Sequence, residues 1–491
     1  MKTVEDNDFE VPPELDGILR GYQKQGFLWI KTLKANGFGG ILADDMGLGK
    51  TLQVIAFLLS EWKESGENPG RPWLIVCPAS LVFNWKSEVE RFAPVLPVYA
   101  AAGGAGERKQ LLEQAAREKK GVIITSYELL RRDIDIYTGM DFACEVIDEA
   151  QFIKNHSTQA ARAVKQVPAG FRLALTGTPV ENRLSELWSI FDYLMPGFLF
   201  SYSRFREEME TPIVSREDEE TAVRLHKMIR PFVLRRLKKD VLTDLPDKIE
   251  KPMMAVMEGE QSSLYDAHVQ RLIAVLTKQT DQEFAGTQIQ VLSELTKLRQ
   301  ICCDPGLCLE GWRSGSAKLE TCMDLIRRGT EGEHKILLFS QFTSMLERIS
   351  RRLEKEGIES ICLTGAVPKE ERLKLVERFS KENVPVFLIS LKAGGTGLNL
   401  TAADIVIHYD PWWNVAAQNQ ATDRAHRIGQ EKQVTVYRLI TKDTIEENIL
   451  NLQEAKRALA DQIVTGEGIS LSDLTAKELL DCIGEISEDS V

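Results

Sequence analysis

Short, almost wholly apolar runs recur in two series along this chain, separated by longer stretches with helical periodicity. The first series is 38–43, 73–77, 121–125, 142–147 and 172–176; the second is 335–340, 384–390, 404–409 and 434–439. A strand that is apolar on both faces must be covered on both faces, and helical crossovers between parallel strands provide that cover. The pattern therefore predicts an α/β chain with two parallel sheets in tandem. Ligands of such sheets bind outside the carboxyl ends of the strands, and that is where the polar motifs of this chain fall. Two charged, helix-favouring stretches break the rhythm, at about 196–240 and 255–330, and read as one helical insertion per lobe. The expected division is a first lobe over 1–245, a second over 246–443, and a C-terminal helical segment over 444–491. Two prolines make 242–252 the expected hinge between the lobes.

The strongest chemical signal is Asp44-Asp45-Met46-Gly47-Leu48-Gly49-Lys50-Thr51, placed between a strand and an apolar helix. Glycines let backbone N–H groups approach phosphate oxygens, and a helix N-terminus favours the negative charge. Lys50 is then the cation for the β- and γ-phosphates, and the Thr51 hydroxyl a ligand for Mg²⁺. The strict phosphate-loop pattern has glycine where Asp44 stands, so a plain glycine-rich turn is the competing reading. Asp148 and Glu149 end the run 142–147. A carboxylate pair there suits Mg²⁺ binding by Asp148 and orientation of an attacking water by Glu149; a solvated acidic turn is the alternative. Gln23 lies upstream and carries an amide able to pair with an adenine edge. Arg424 and Arg427 are three residues apart, which puts both on one face if they lie on a helix. They are candidates for stabilising charge on a terminal phosphate, or else members of a surface ion-pair face with Asp423.

Net charge is −12, which excludes a uniformly basic nucleic-acid binder but not a local basic cleft. No apolar stretch is long enough to span a membrane. The acidic N-terminus lacks a signal-peptide pattern, so the expected location is inside the cell. Eight cysteines include four between 302 and 322. No CxxC pair occurs among them, and reduced thiols in a packed helical region are expected rather than a zinc site.

The motifs together resemble the SWI/SNF family of helicase-like ATPases within superfamily two. The matching segments, in order, are 19–23 (LRGYQ), 44–51 (DDMGLGKT), 77–85 (CPASLVFNW), 124–130 (ITSYELL), 148–151 (DEAQ), 175–194, 232–241 (FVLRRLKKDV), 298–305 (LRQICCDP), 339–346 (FSQFTSML), 391–414 and 423–430 (DRAHRIGQ). The resemblance covers nearly the whole chain and implies two RecA-like lobes, each with a helical insertion, and a C-terminal helical brace. It implies ATP with Mg²⁺ as cofactors and double-stranded DNA as partner, tracked without strand separation. It assigns the nucleotide to Gln23, Asp45, Met46, Gly47, Leu48, Gly49, Lys50, Thr51, Gly397 and Gln420. Catalysis falls to Lys50, Asp148, Glu149, Arg424 and Arg427, and the metal to Thr51 and Asp148. DNA contact or coupling falls to Asn84, Trp85, Thr125, Ser126, Gln151, Thr176, Thr178, Arg235, Arg236, Ser340, Gln341, Lys392, Gly394, Gly395, Thr396 and Trp413. Thr176 is placed to hydrogen-bond Asp148 or Gln151 and relay nucleotide state. The cargo is left open among nucleosomes, other DNA-bound proteins and RNA polymerase. A monomeric motor is expected, or the motor part of a longer chain. The compact form points to a bacterial or archaeal source and a nucleoid-associated protein, a nuclear one if the source is eukaryotic. An RNA- or DNA-unwinding helicase and a non-catalytic DNA- or polymerase-binding scaffold are the rival readings.

Overall fold

A computed structural model describes residues 9–66, 70–177, 184–216, 218–242, 246, 248–276, 281–394, 400–412, 415–427 and 429–450. The chain divides into two compact units, Met1–Thr243 and Asp244–Val491. The division falls inside the stretch read as a hinge, but the later part of that stretch is a strand of the second unit.

The first unit carries β1 (Gly40–Leu42), β2 (Trp73–Cys77), β3 (Val98–Ala100), β4 (Val122–Ser126), β5 (Cys144–Ile147), β6 (Arg172–Leu175) and β7 (Val233–Leu234). They form one sheet in the order β3-β4-β2-β5-β6-β1-β7, and every pairing is parallel. The second unit carries β8 (Lys248–Ala255), β9 (Ile336–Ser340), β10 (Ser360–Leu363), β11 (Val386–Ser390), β12 (Ile405–His408) and β13 (Val434–Thr441). Their order is β10-β11-β9-β12-β13-β8, again wholly parallel. The central strands β2, β4, β5, β9, β11 and β12 are buried along their whole length, as their apolar runs require. In the second unit the two sheet faces feed separate apolar clusters, one including Phe379 and Phe387, the other Ile326 and Ile349.

Four strands were not foreseen, namely β3, β7, β8 and β10. All four are sheet edges. An edge strand needs no apolar residue on its outer side and tolerates proline, because one row of its backbone groups is unpaired. Thus β8 holds Pro252 and is mostly exposed, and its charged, proline-bearing sequence reads as a linker.

The insertions are helical as expected. The first unit has helices at Tyr202–Phe205, Arg206–Glu210, Thr211–Arg216 and Glu219–Ile229. The second has Gly259–Leu276, Asp281–Cys303 and Ala317–Glu331. The cysteine group packs in this helical layer: Cys302, Cys303 and Cys322 are buried free thiols, and among the described residues no group of metal-binding side chains converges. Tyr409 and Ser316 donate to the Cys303 carbonyl, at 2.9 and 2.7 Å. Among the described residues no helix is long and apolar enough to cross a membrane. The brace expected over 444–491 lies, from residue 451 onward, outside the described residues.

Candidate nucleotide site

In the first unit β1 runs into the glycine loop, which leads into the helix Lys50–Glu64. Gly47 and Gly49 have φ of 90° and 74°, a left-handed conformation that glycine adopts without penalty. Gly49 is doubly constrained, because a Cβ there would meet Gln23 Nε2 at 2.3 Å. Lys50 Nζ donates to the Asp44 carbonyl at 2.6 Å and to the Asp45 carbonyl at 3.4 Å.

Asp44, the departure from the phosphate-loop pattern, is fully buried and ion-paired with Arg236. Arg236 Nε donates to Asp44 Oδ1 at 2.8 Å, and Nη2 donates to Oδ2 and, at 2.8 Å, to Gln53 Oε1. Its Nη1 donates to the Tyr22 carbonyl. Gln53 Nε2 completes the cluster on Asp44 Oδ2 at 3.1 Å. The following residues stitch the backbone together: Asp45 N donates to the Arg236 carbonyl at 3.0 Å, and Lys238 N to Asp45 Oδ2 at 2.9 Å. Arg236 was expected to face DNA or couple the lobes. Its guanidinium instead makes four hydrogen bonds inside the first unit and holds the base of the phosphate loop. A carboxylate this deeply buried requires a paired cation; the odd Asp44 was the one sequence signal that could have led to the pair, but its burial shows only in the fold.

Gln23 also differs from its expected role. Its Nε2 donates to the Leu48 carbonyl at 3.0 Å, and its Oε1 accepts from Arg20 N at 2.9 Å. Tyr22 OH donates to the same Leu48 carbonyl at 3.0 Å. The Nε2 end thus braces the loop while the Oε1 end caps the helix Gly21–Ala35 at Arg20, and adenine pairing would require exchanging these bonds.

The acid pair follows β5. Asp148 is held from one strand and two helices. Its backbone N donates to Val76 of β2 at 2.8 Å. Trp85 Nε1 donates to its Oδ2 at 2.8 Å, and Tyr127 OH, following β4, donates to its carbonyl at 2.7 Å. Burial, and then the adjacent Glu149 carboxylate, push the Asp148 carboxyl up to about 6, against the opposing pull of the Trp85 N–H and the Lys50 charge. Glu149 sits at φ 53°, a left-handed conformation that costs a non-glycine residue about 1–2 kcal/mol. Glu149 N donates to Asp148 Oδ1 at 2.9 Å, and Gln151 Nε2 to Glu149 Oε2 at 2.7 Å. Thr176, after β6, donates to Gln151 Oε1 at 3.2 Å. Of the two partners expected for Thr176, Asp148 and Gln151, the geometry gives Gln151, which in turn donates to Glu149.

Trp85, Thr125, Ser126 and Ser340 were expected on DNA, and all four point inward. Trp85 is 1% exposed and serves Asp148. Thr125 donates to the Ala101 carbonyl at 3.2 Å. Ser126 caps the helix Tyr127–Arg132, accepting from Leu129 N at 3.3 Å. Ser340 donates to Asp410 Oδ1 at 2.6 Å, and Gln341 Nε2 donates to Asp410 Oδ2. Asp410 was not singled out in the sequence; it organises the end of β9, with Arg299 4.0 Å away. Asn84 is exposed on the helix Val82–Phe92, and Arg235 is half-buried.

In the second unit, Arg424 and Arg427 do not share a helix face, because the helix Val415–Thr422 ends before them. The backbone tightens there into bonds from Arg424 N to the Ala421 carbonyl (3.2 Å) and Ala425 N to the Thr422 carbonyl (3.0 Å), and the Arg424 carbonyl accepts from Leu400 N at 3.1 Å. Arg424 is buried and Arg427 half-buried. Gln430 Nε2 ties the turn to the carbonyls of Thr401, Ala403 and Ala425. Gln420 is half-buried on the helix preceding the turn. Thr178, Gly395, Thr396, Gly397 and Trp413 lie outside the described residues, as do the side-chain surroundings of Lys392 and Gly394.

Residues 22–307 match the model of the SNF2-related domain, and 317–429 match the helicase conserved C-terminal domain. An ATP-dependent helicase of Mycoplasma pneumoniae is 41% identical over 98% of this chain and 46% of its own length. The putative ATP-dependent helicase/translocase YwqA of Bacillus subtilis is 42% identical over 96% of this chain and 51% of its own length. The TATA-binding protein-associated factor MOT1 of Saccharomyces cerevisiae is 34% identical over 96% of this chain and 29% of its own length. The chain thus spans about half the length of these bacterial relatives. A solved structure of the Sulfolobus solfataricus SWI2/SNF2 ATPase core in complex with dsDNA is 37% identical, covers 97% of this chain and 99% of that one, and has a TM-score of 0.47. With the SNF2-related model matched from Tyr22 through Leu307, and the helicase C-terminal model after it, this chain belongs to the SNF2 family.

Proposed function

We propose that this chain is a DNA-dependent ATPase that moves along double-stranded DNA without separating its strands, displacing or remodelling proteins bound there. The observation that carries the reading is the hydrogen-bonded assembly at the carboxyl edge of the first sheet, where the Thr176–Gln151–Glu149 relay and the buttressed Asp148 belong to the same unit as the phosphate loop. The names of the relatives, ATP-dependent helicase and putative helicase/translocase, support the choice of ATP and of a nucleic-acid track.

On this reading Lys50 exchanges its loop carbonyls for phosphate oxygens when ATP binds. Two adjacent carboxylates, one pushed toward neutrality, mark a site short of positive charge, which suits a divalent cation beside the phosphates. Thr51 and Asp148 would hold Mg²⁺, which supplies charge neutralisation at the transferring phosphoryl group. Glu149 orients the attacking water and accepts its proton, held in place by Gln151. Arg424 and Arg427 are the cations we assign to the charge developing on the terminal phosphate. Movement follows if ATP and its products favour different conformations with different grips on the DNA. Asn84 on the first unit, and the KAGGTG segment (392–397) on the second, remain our candidates for the phosphate contacts.

The test is ATP turnover by the whole chain with duplex DNA, single-stranded DNA and RNA, together with displacement of a triplex-forming strand. Duplex DNA should stimulate most, and triplex displacement should require ATP and Glu149. Strongest stimulation by RNA would favour an unwinding helicase. Unchanged turnover by Glu149→Gln would favour a non-catalytic scaffold.

A further inference from the structure

Phe152 is a large aromatic side chain left 52% exposed, one residue beyond Gln151 on the turn Ala150–Ile153. It is not loosely placed. Its ring stacks on Tyr127 with centroids 5.1 Å apart and planes within 5° of parallel. Tyr127 is itself buried, and its hydroxyl donates to the Asp148 carbonyl at 2.7 Å. Phe152 N donates to the Glu149 carbonyl at 3.0 Å. One exposed ring is therefore joined to both members of the acid pair, to Asp148 through Tyr127 and to Glu149 through the backbone of the turn.

The surroundings make this link stiff on its inner side only. Ala150 and Ile153 are fully buried, and Ser189 Oγ donates to the Ile153 carbonyl at 2.7 Å. The turn is pinned at both ends, and what faces outward is the Phe152 ring. Glu149, at the start of the turn, holds a left-handed backbone, so a small rotation of the turn changes where its carboxylate points. Backbone strain of this kind persists only where neighbours over-determine it, and Phe152 is one of those neighbours. A second exposed aromatic, Phe83 at 55%, stands beside Asn84 at the start of the helix after β2. In the sheet β2 lies between β4 and β5, the strands that lead to Tyr127 and to the turn.

We infer that duplex DNA packing on Phe152 sets the orientation of Glu149 and Asp148 through the Tyr127 stack, so that Phe152 is a positioning residue that couples DNA binding to hydrolysis. The inference rests on the proposed function and adds the route by which the track reaches the water-orienting acid. An apolar ring offers a packing surface for the deoxyribose edge of a strand and reads no base, as a moving motor requires.

The experiment compares wild type, Phe152→Ala, Phe152→Trp and Tyr127→Phe in the full chain. For each, ATP turnover is measured with and without saturating duplex DNA, and DNA affinity by fluorescence anisotropy. The readout is the stimulation ratio, DNA-saturated over DNA-free turnover. Phe152→Ala should lower the ratio about tenfold, within the usual range of coupling between two sites, with the KM for ATP within about twofold of wild type. Phe152→Trp, which restores a stacking ring, should recover most of the ratio. Tyr127→Phe, which keeps the stack and removes the hydroxyl, should lower it too. An unchanged ratio in Phe152→Ala overturns the inference. So does a fall in DNA-saturated and DNA-free turnover by the same factor, which marks a structural role, or a loss of DNA affinity with the ratio intact, which marks a simple contact. A wild type that duplex DNA does not stimulate overturns the proposed function itself, an outcome distinct from these.

Discussion

Replacing Arg236 by methionine tests the least expected element of the site, the ion pair beneath the phosphate loop. The substitution keeps most of the aliphatic stem and removes the guanidinium. Asp44, with no exposed surface, then retains a single side-chain donor, Gln53 Nε2 at 3.1 Å. Removing one partner of a buried pair leaves an uncompensated charge and costs about 3–5 kcal/mol. With a urea slope of about 3 kcal/mol/M, the midpoint of the first unit falls by about 1–2 M. Asp44→Asn in the same chain removes the stranded charge, so the double variant should recover half or more of that loss. The assay is a urea titration read by pulsed hydrogen exchange in peptides from 38–64, which reports the first unit alone. The loop should suffer as well, with a raised KM for ATP, because Asp44 and Asp45 supply the carbonyls that hold Lys50. DNA affinity should change little. A midpoint shift below about 0.3 M in Arg236→Met, or a double variant that merely sums the two single losses, would refute the buried-pair account. Normal stability with a large loss of DNA affinity would return Arg236 to the DNA surface.

Trp85→Phe removes the N–H on Asp148 Oδ2; a hydrogen bond to a charged group is worth about 1.5–3 kcal/mol, so turnover should fall about tenfold or more while DNA affinity holds, and a selective loss of affinity would show that Trp85 meets DNA. Burial and the adjacent Glu149 push the Asp148 carboxyl up to about 6; if Asp148 holds Mg²⁺ as proposed, a proton there competes with the cation, so the half-saturating Mg²⁺ concentration should rise as pH falls through that value, and a flat Mg²⁺ requirement from pH 7.5 to 5.5 would count against Asp148 as the cation ligand. Glu145, buried in β5 with Arg172 3.6 Å away, has a carboxyl that burial pushes up to about 8. Its raised value means stability is fully present below about pH 4.5 and is lost as pH rises from there through 8, by up to a few kcal/mol; Glu145→Gln should flatten that slope in urea titrations of the first unit, and an unaltered slope would show that Glu145 is not its source. Thr176→Val should lower turnover several-fold at unchanged KM for ATP, because it breaks the relay to Gln151 and leaves nucleotide contacts intact; a rise in KM alone would place Thr176 in nucleotide binding.

The sequence by itself determined the central strands, and that the glycine loop and the acid pair follow the carboxyl ends of theirs. Residues 73–77 and 386–390 are buried on both faces, so their apolar character had one reading. The edge strands escaped because half-exposed strands such as β10, with alternating burial, or β8, with its proline and charges, carry no such run. The tertiary structure alone decided which way the polar residues face. Trp85 finds Asp148 across 63 residues and Arg236 finds Asp44 across 192, distances over which local sequence carries no register. A polar side chain at a strand end can turn to solvent or inward. What decides is whether a buried group elsewhere needs its hydrogen bond, and that need exists only once the chain has folded.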